Sequence, residues 1–404
     1  MKTEALLSAV IRGCVIGKTG RPWTICCESI DVSESAVLRV SLKNENEAEK
    51  IIPDSFQKYS FGKIPLKIQV SCNENEYSYM CAPDLTELEK IRSGKIKDAW
   101  DIDSEDNVAS EAADFGASRA GVVKNRVALV TGGAQGFGEE IVRGLVSAGA
   151  VVFIADLNIA GAEKLAEKLN LEHNKTVAFP VEVNVGDEAS VEKMIDTIAL
   201  KAGGLDLCVS NAGVLRAAPI LEQDIASFRF VTEINYTAFA IITKHCGLLM
   251  RLQNLQAQNL QTQNLHTQTW TTDIIQINSK SGLEGSNKNG AYAGSKFGSI
   301  GLVQSYAKEL VDFNIKVNAV CPGNFFDGPL WADPEKGLFV QYLKTGKVPG
   351  AKTIEDVKAF YEAKVPMGRG CTGPDVIRAV LYLVEQVYET GQALPVTGGQ
   401  VMLS

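Results

Sequence analysis

From Val122 onward the chain alternates between two textures. Short apolar runs such as VALV in RVALVTGG and VVFIAD in VVFIADLN have the length and continuity of strands buried on both faces. Between them lie EEIVRGLVSAGA and AGAEKLAEKLN, where apolar residues return every three or four positions, the period of a helix with one buried face. Strand and helix in alternation predict right-handed βαβ units and an α/β fold with a Rossmann-type, doubly wound parallel sheet over residues 122–404. Residues 1–95 read differently. The β-rich runs RPWTICCESIDV, AVLRVSL and IPLKIQVSC are separated by polar turns and followed by a helical pattern, DLTELEKIRSG, which predicts a smaller α+β or mostly β N-terminal domain. The acidic stretch KDAWDIDSEDNVASEAADFGASRAG, rich in Ala, Ser and Gly, predicts a linker over 96–121.

One segment breaks the rhythm. QNLQAQNLQTQNLHTQ (253–268) repeats about every five residues, and leucines five apart rotate by about 140° per step on a helix, too far to share a face. A low-complexity surface insertion over 251–269 is expected.

Composition narrows the function classes. The 404 residues are enough for two domains, and 45% hydrophobic with 22% charged residues is ordinary for a soluble protein. A net charge of −8 argues against nucleic acid and anionic membranes as partners, so an anionic ligand needs local cations and backbone amides. Nine scattered cysteines without a C-x-x-C pair read as buried thiols in a reducing, cytoplasmic setting. Three isolated histidines show no metal spacing, and no metal is expected. The apolar run ALLSAVI, followed by Arg12 and Gly13, is too short to span a bilayer and makes a poor signal peptide.

VALVTGGAQGFGEEIV places Gly132, Gly136 and Gly138 between a strand and a helix. Glycine there lets the backbone turn tightly and lie against a pyrophosphate seated on the free amides of a helix N-terminus. A plain tight turn is the bland alternative, but the next strand ends in Asp156, eighteen residues after Gly138. A carboxylate at that position can bond both adenosine-ribose hydroxyls and would repel a 2′-phosphate. With no arginine in the loop or after Asp156, NAD is expected rather than NADP.

The spacing T-G-x-x-x-G-x-G resembles the short-chain dehydrogenase/reductase family, and further motifs follow in order: NAG at 211–213, EINYTAF with Asn235, Tyr292-x-x-x-Lys296, and VNAVCPG at 317–323. The resemblance covers about residues 122–404. It implies cofactor contacts from Gly132, Gln135, Gly136, Phe137, Gly138, Asp156, Asn184, Val185, Asn211, Ala212, Gly213, Tyr292, Lys296, Pro322 and Gly323. It also implies a homo-oligomer, a tetramer or dimer.

Tyr292 and Lys296 are four apart and share a helical face. A nearby ammonium favours the phenolate, which would let Tyr292 exchange a proton with an alcohol or carbonyl. Ser279 stands thirteen residues before the tyrosine, with Gly282 following at the family's spacing, and would hold the substrate oxygen; Ser281 is the alternative. Asn235 would complete a proton relay, or simply satisfy a helix kink. INSKSG, with PGNFFDGPL, KVPMGRGC and VTGGQVMLS, resembles the branch of the family that oxidises the C2 hydroxyl of sorbitol 6-phosphate with NAD to give fructose 6-phosphate. On that resemblance Lys280, Ser281 and Asn324 are candidate substrate contacts, although Lys280 could instead pair with Glu284. Lys288, Arg216 and Arg369 are further cations. Phe325 and Phe326 line the pocket or pack in the core, with the core expected, and about 330–365 is expected to form a helical lid over the substrate. An unphosphorylated polyol as substrate, or a catalytically silent NAD-binding regulator, are the competing readings.

Overall fold

The computed structural model describes residues 1–19, 22–27, 37–58, 63–65, 67–97, 99–101, 121–261, 270–335, 337–344, 346 and 348–402; most of the expected linker lies outside them. The N-terminal part contains α1 (Thr3–Thr19), β1 (Thr24–Cys27), β2 (Val37–Leu42), α2 (Ala48–Lys58), β3 (Lys63–Ile64), β4 (Lys67–Cys72), β5 (Asn75–Ala82), α3 (Leu85–Arg92) and β6 (Trp100–Asp101). Its mixed sheet has the order β1-β5-β4-β2, with only β2 and β4 parallel. Of the two folds expected there, α+β is the one found.

The larger part alternates β7 (Val127–Thr131), α4 (Gly136–Ser147), β8 (Val151–Asp156), α5 (Ile159–Glu172), β9 (Ala178–Glu182), α6 (Glu188–Ala202), β10 (Leu207–Ser210), α7 (Ile225–Thr232), α8 (Ala238–Gln261), β11 (Thr272–Ile277), α9 (Gly290–Leu310) and β12 (Ile315–Pro322). Three short helices follow, α10 (Pro329–Ala332), α11 (Leu338–Lys344) and α12 (Ile354–Glu362), then α13 (Gly373–Glu385) and β13 (Ala393–Val396). Seven parallel strands in the order β13-β12-β11-β10-β7-β8-β9 form the sheet. β7, β10, β11 and β12 are buried along their whole length, as strands covered on both faces must be. Strand order reverses about β7, so the loops after β7 and β10 diverge and leave a crevice at the carboxyl edge.

Helix α1 carries apolar residues all round, and the fold uses every side. Ala5 and Ala9 enter the core beneath α6 and α8, while Leu7, Val10, Ile11 and Cys14 enter the core of the small sheet. At Gly13 an added Cβ would sit 2.3 Å from the Gln253 carbonyl oxygen, so the two helices touch backbone to backbone. Arg12, beside that contact, is fully buried. Its guanidinium meets both carboxylate oxygens of Asp206 at 2.7 Å and donates to Gln253 at 2.6 Å and to the Trp23 carbonyl at 2.7 Å. Asp206 also accepts from the Val127 amide at 2.7 Å and from the Gln253 amide group at 3.0 Å. Burial alone would push this carboxyl up, but the charge and hydrogen bonds of Arg12 outweigh it and hold the group below its usual range.

This network changes the picture of the Gln/Asn-rich segment. Residues 251–261 are the last turns of α8, and Gln253, Asn254 and Gln256 are buried. Asn254 donates to the Thr272 hydroxyl and to the Phe313 and Asn314 carbonyls. The faces that matter here are polar ones, which a leucine spacing does not register; residues 262–269 lie outside the described residues.

Removing one partner of a buried ion pair strands the other. Arg12→Met is expected to lower unfolding stability by about 3–5 kcal/mol, read by urea denaturation of the full chain. A loss under about 1 kcal/mol would mean that Asp206 reaches water without the guanidinium.

Candidate active site

The crevice is a cleft of about 1040 Å³ lined from Asp156 at one end to Lys280 and Lys364 at the other. That exceeds the roughly 300–1,000 Å³ of a drug-sized ligand site, leaving room for a dinucleotide and a small substrate together.

The loop between β7 and α4 forms the nucleotide end. Gly132 and Gly136 have φ of 63° and 59°, a conformation that L side chains rarely adopt. At Gly138 an added Cβ would lie 1.9 Å from the Gly132 carbonyl oxygen, so α4 begins pressed onto the turn. Its N-cap Gln135 makes no side-chain cap hydrogen bond, which leaves first-turn amides for an external anion. Asn211 ties the turn to β10, donating to the Thr131 and Gly132 carbonyls at 3.1 and 3.0 Å. Asp156 accepts from the amides of Ala134 and Asn158 at 3.0 and 2.9 Å and lines the cleft. Gln135, Phe137, Asn184, Val185, Ala212, Gly213, Pro322 and Gly323 line it too, and so does Asn324, though its carbonyl is taken by the Cys371 amide. The Asn184 side chain accepts from the Gly186 amide in its own loop. This donor-rich, glycine-built floor fits a dinucleotide.

At the opposite end Ser279 and Tyr292 share a hydrogen bond. Ser279 follows β11 and its hydroxyl accepts from the Ser281 amide at 3.1 Å, starting a single helical turn over Lys280–Gly282. Tyr292 and Lys296 sit on α9. The Lys296 amine, almost fully buried, donates to the Ile277 carbonyl at 3.0 Å and lies 5.7 Å from the Tyr292 ring centroid. Burial pushes the tyrosine above its usual range, and the bond with Ser279 only partly offsets it. The same burial draws Lys296 down to about 8. The expected lowering of Tyr292 by Lys296 is therefore not the dominant effect; desolvation acts on both groups and the serine supplies the opposing pull.

Asn235 lies in a π-helical turn, Glu233–Thr237, between α7 and α8. Its amide oxygen accepts from Val214 N at 2.8 Å and its nitrogen donates to Val214 O at 2.9 Å. A cavity of about 10 Å³ separates it from Lys296, roughly the room one water needs. Asn235 thus sits at the kink and also faces a space shared with Lys296.

The segment after β12 lines the cleft. Phe326, Trp331, Phe339, Val348, Val357 and Val365 build its own core. Phe325 instead stacks on Phe137 of the glycine loop, centroids 4.4 Å apart and planes at 14°. The expectation of core packing holds for one ring and not the other. Arg369, a candidate cation from the sequence, is turned outward in a two-pronged contact with Asp375 at 2.6 and 3.0 Å. Arg216 covers the ring of Phe230 at 4.3 Å. Lys280 and Lys288 line the cleft. Lys364, on the same wall, had no sequence signal at all, because only the fold of the 325–365 segment brings it there.

Residues 126–332 match the short chain dehydrogenase family. The chain is 32% identical to sorbitol-6-phosphate 2-dehydrogenase of Escherichia coli over 281 residues, 69% of this chain and 99% of that one. A crystal structure of sorbitol-6-phosphate 2-dehydrogenase from Erwinia amylovora shares 34% identity with a TM-score of 0.61, covering 68% of this chain and 100% of that one. An actinorhodin polyketide ketoreductase solved with NADPH shares 26% identity, a TM-score of 0.57, and 70% and 98% coverage.

The Arg369–Asp375 contact carries a pH signature. The hydrogen bond from Arg369 draws Asp375 down from 3.8 to about 2. A carboxyl lowered by folding adds stability that is complete above its unfolded pKa and disappears as pH falls through the folded one. Asp375→Asn should flatten the loss of stability between about pH 4 and pH 2, measured by thermal melts across that range; an unchanged acid slope would remove the contact from the stability account.

Proposed function

Because the chain belongs to the short-chain dehydrogenase family, we propose that it oxidises the C2 hydroxyl of sorbitol 6-phosphate to a ketone, giving fructose 6-phosphate, with NAD as acceptor. The observation that carries this is the Ser279–Tyr292 pair in the same cleft as the glycine turn and Asp156. The likeness to two sorbitol-6-phosphate dehydrogenases supports the substrate, and Lys280 and Lys364, which line the cleft with no carboxylate at ion-pair distance among the described residues, suit an ester with a charged group. The carboxylate of Asp156, facing the cleft, favours the ribose hydroxyls of NAD over a 2′-phosphate. All nine thiols are free, which suits a reducing cytoplasm.

The glycine turn would hold the pyrophosphate of NAD, which when bound would supply the hydride acceptor for C2. The protein's part is to hold and deprotonate the hydroxyl. Ser279 positions the substrate oxygen, and Tyr292 takes its proton as the carbonyl forms. Lys296 holds charge beneath the phenol. Its amine, Asn235 and the one-water cavity between them outline a route for the proton to leave.

A phenol raised above its usual range is protonated at neutral pH, the form that donates to a carbonyl. Ketone reduction is therefore expected to proceed well near pH 7, while alcohol oxidation climbs as the pH rises and phenolate accumulates. Tyr292→Phe should cost about 10²- to 10⁴-fold in turnover and abolish that rise, with NADH absorbance as the readout. A variant retaining near-normal turnover would overturn the role of Tyr292, and NADP serving as well as NAD would overturn the role of Asp156.

A further inference from the structure

At the end of the cleft away from Asp156, two lysines arrive from separate elements. Lys280 stands beside Ser279 in the turn after β11, and Lys364 stands just past the C-terminus of α12 in the segment after β12; both line the cleft. Among the described residues neither has a carboxylate within ion-pair distance. The contrast on α12 is direct. Lys358 reaches Asp327 at 3.0 Å and Glu362 at 3.9 Å, taking up the nearby acids, while Lys364 contacts only aromatic faces, 4.1 Å from the Phe360 centroid and 5.0 Å from that of Tyr361. Those rings steady its stem and leave the ammonium's donors unspent. Tyr342 and Tyr361 line the cleft beside it.

We propose that Lys364 and Lys280 together form the seat for the phosphate of the substrate, with Lys364, carried by the segment after β12, as the residue that separates a phosphorylated polyol from a free one. The proposal rests on the reading of the substrate as a sugar-alcohol phosphate. Two ammoniums without a carboxylate at ion-pair distance, both lining one cleft, are mutually repulsive until a dianion lies between them, so the ligand supplies the missing charge. Burial draws Lys280 below its usual range, Glu284 opposes this, and the charge of Lys364 lowers it further, consistent with two ammoniums close enough to sense each other. Anchoring the phosphate here leaves C2, several carbons along the chain, toward Ser279 and Tyr292.

The full chain and its Lys364→Met, Lys280→Met and Lys358→Met variants are assayed with sorbitol 6-phosphate and with sorbitol at saturating NAD. The same proteins, loaded with NAD, are titrated with inorganic phosphate by thermal shift. Each charged hydrogen bond is worth about 1.5–3 kcal/mol, so Lys364→Met should lower kcat/KM for the ester about 10- to 100-fold relative to sorbitol and weaken phosphate binding by a similar factor. Lys280→Met should do the same, and Lys358→Met should leave the ester-to-polyol ratio at the wild-type value. If the wild type prefers the ester but Lys364→Met alters neither the ratio nor phosphate binding, the seat is overturned and the substrate reading stands. If the wild type oxidises neither polyol, yet phosphate stabilises it and Lys364→Met removes that effect, the seat stands and the substrate reading falls.

Discussion

A carboxylate sealed from water needs its counter-charge delivered to it, and Asp206 receives its own from the far end of the chain. It stands just before β10 and takes four hydrogen bonds, two from Arg12 and one each from Val127 and Gln253. The first residues of the protein are thereby built into the base of the seven-stranded sheet. Because α1 buries one side in each core, the small sheet is not an appendage tethered by a linker: α1 is a shared wall. The polar tail of α8 completes that wall through Gln253 and ties the helix to β11 and the Phe313–Asn314 turn through Asn254, which explains why these two occupy positions where a helix usually presents leucine.

The opposite edge of the same sheet collects the chemistry. Parallel strands end together there, so residues from β7, β8, β10, β11 and α9 converge although they are far apart in sequence. Desolvation dominates the result: it raises Tyr292 and draws Lys296 down to about 8, so two groups of similar ordinary proton affinity are driven apart. The proton therefore rests on the phenol, while the neighbouring amine gives up its own more readily.

Much of this was legible in the residues. The alternation of continuous apolar runs with a 3.6-residue period encodes a local, repeated geometry, so the sheet, its helices and the glycine turn could be read directly. Tyr292 with Lys296 and Asp156 could be read because their spacing is set by one helical turn or one βα unit, and Ser279 by resemblance to the family's spacing. What stayed hidden depends on distant partners. The apolar run in α1 resembles any short hydrophobic stretch until its two cores are known. Gln253 and Asn254 look like low-complexity filler until Arg12 and Thr272 are placed against them. Arg369 lies in a motif with the right charge, but a carboxylate six residues on, Asp375, claims it. Lys364 has no motif and acquires meaning only from the fold of the segment that carries it.

The union of α1 with α8 also sets a timetable for synthesis. Arg12 and Gln253 are separated by 241 residues, and translation at roughly 5–20 residues per second keeps the first helix waiting between about ten and fifty seconds for its second face. During that interval the ribosome holds an exposed greasy cylinder, shielded on one side by the small sheet and bare on the other. A nascent chain of this design is a natural client for a chaperone that covers emerging apolar surface, and its maturation ends only when the beginning of the polypeptide meets the middle.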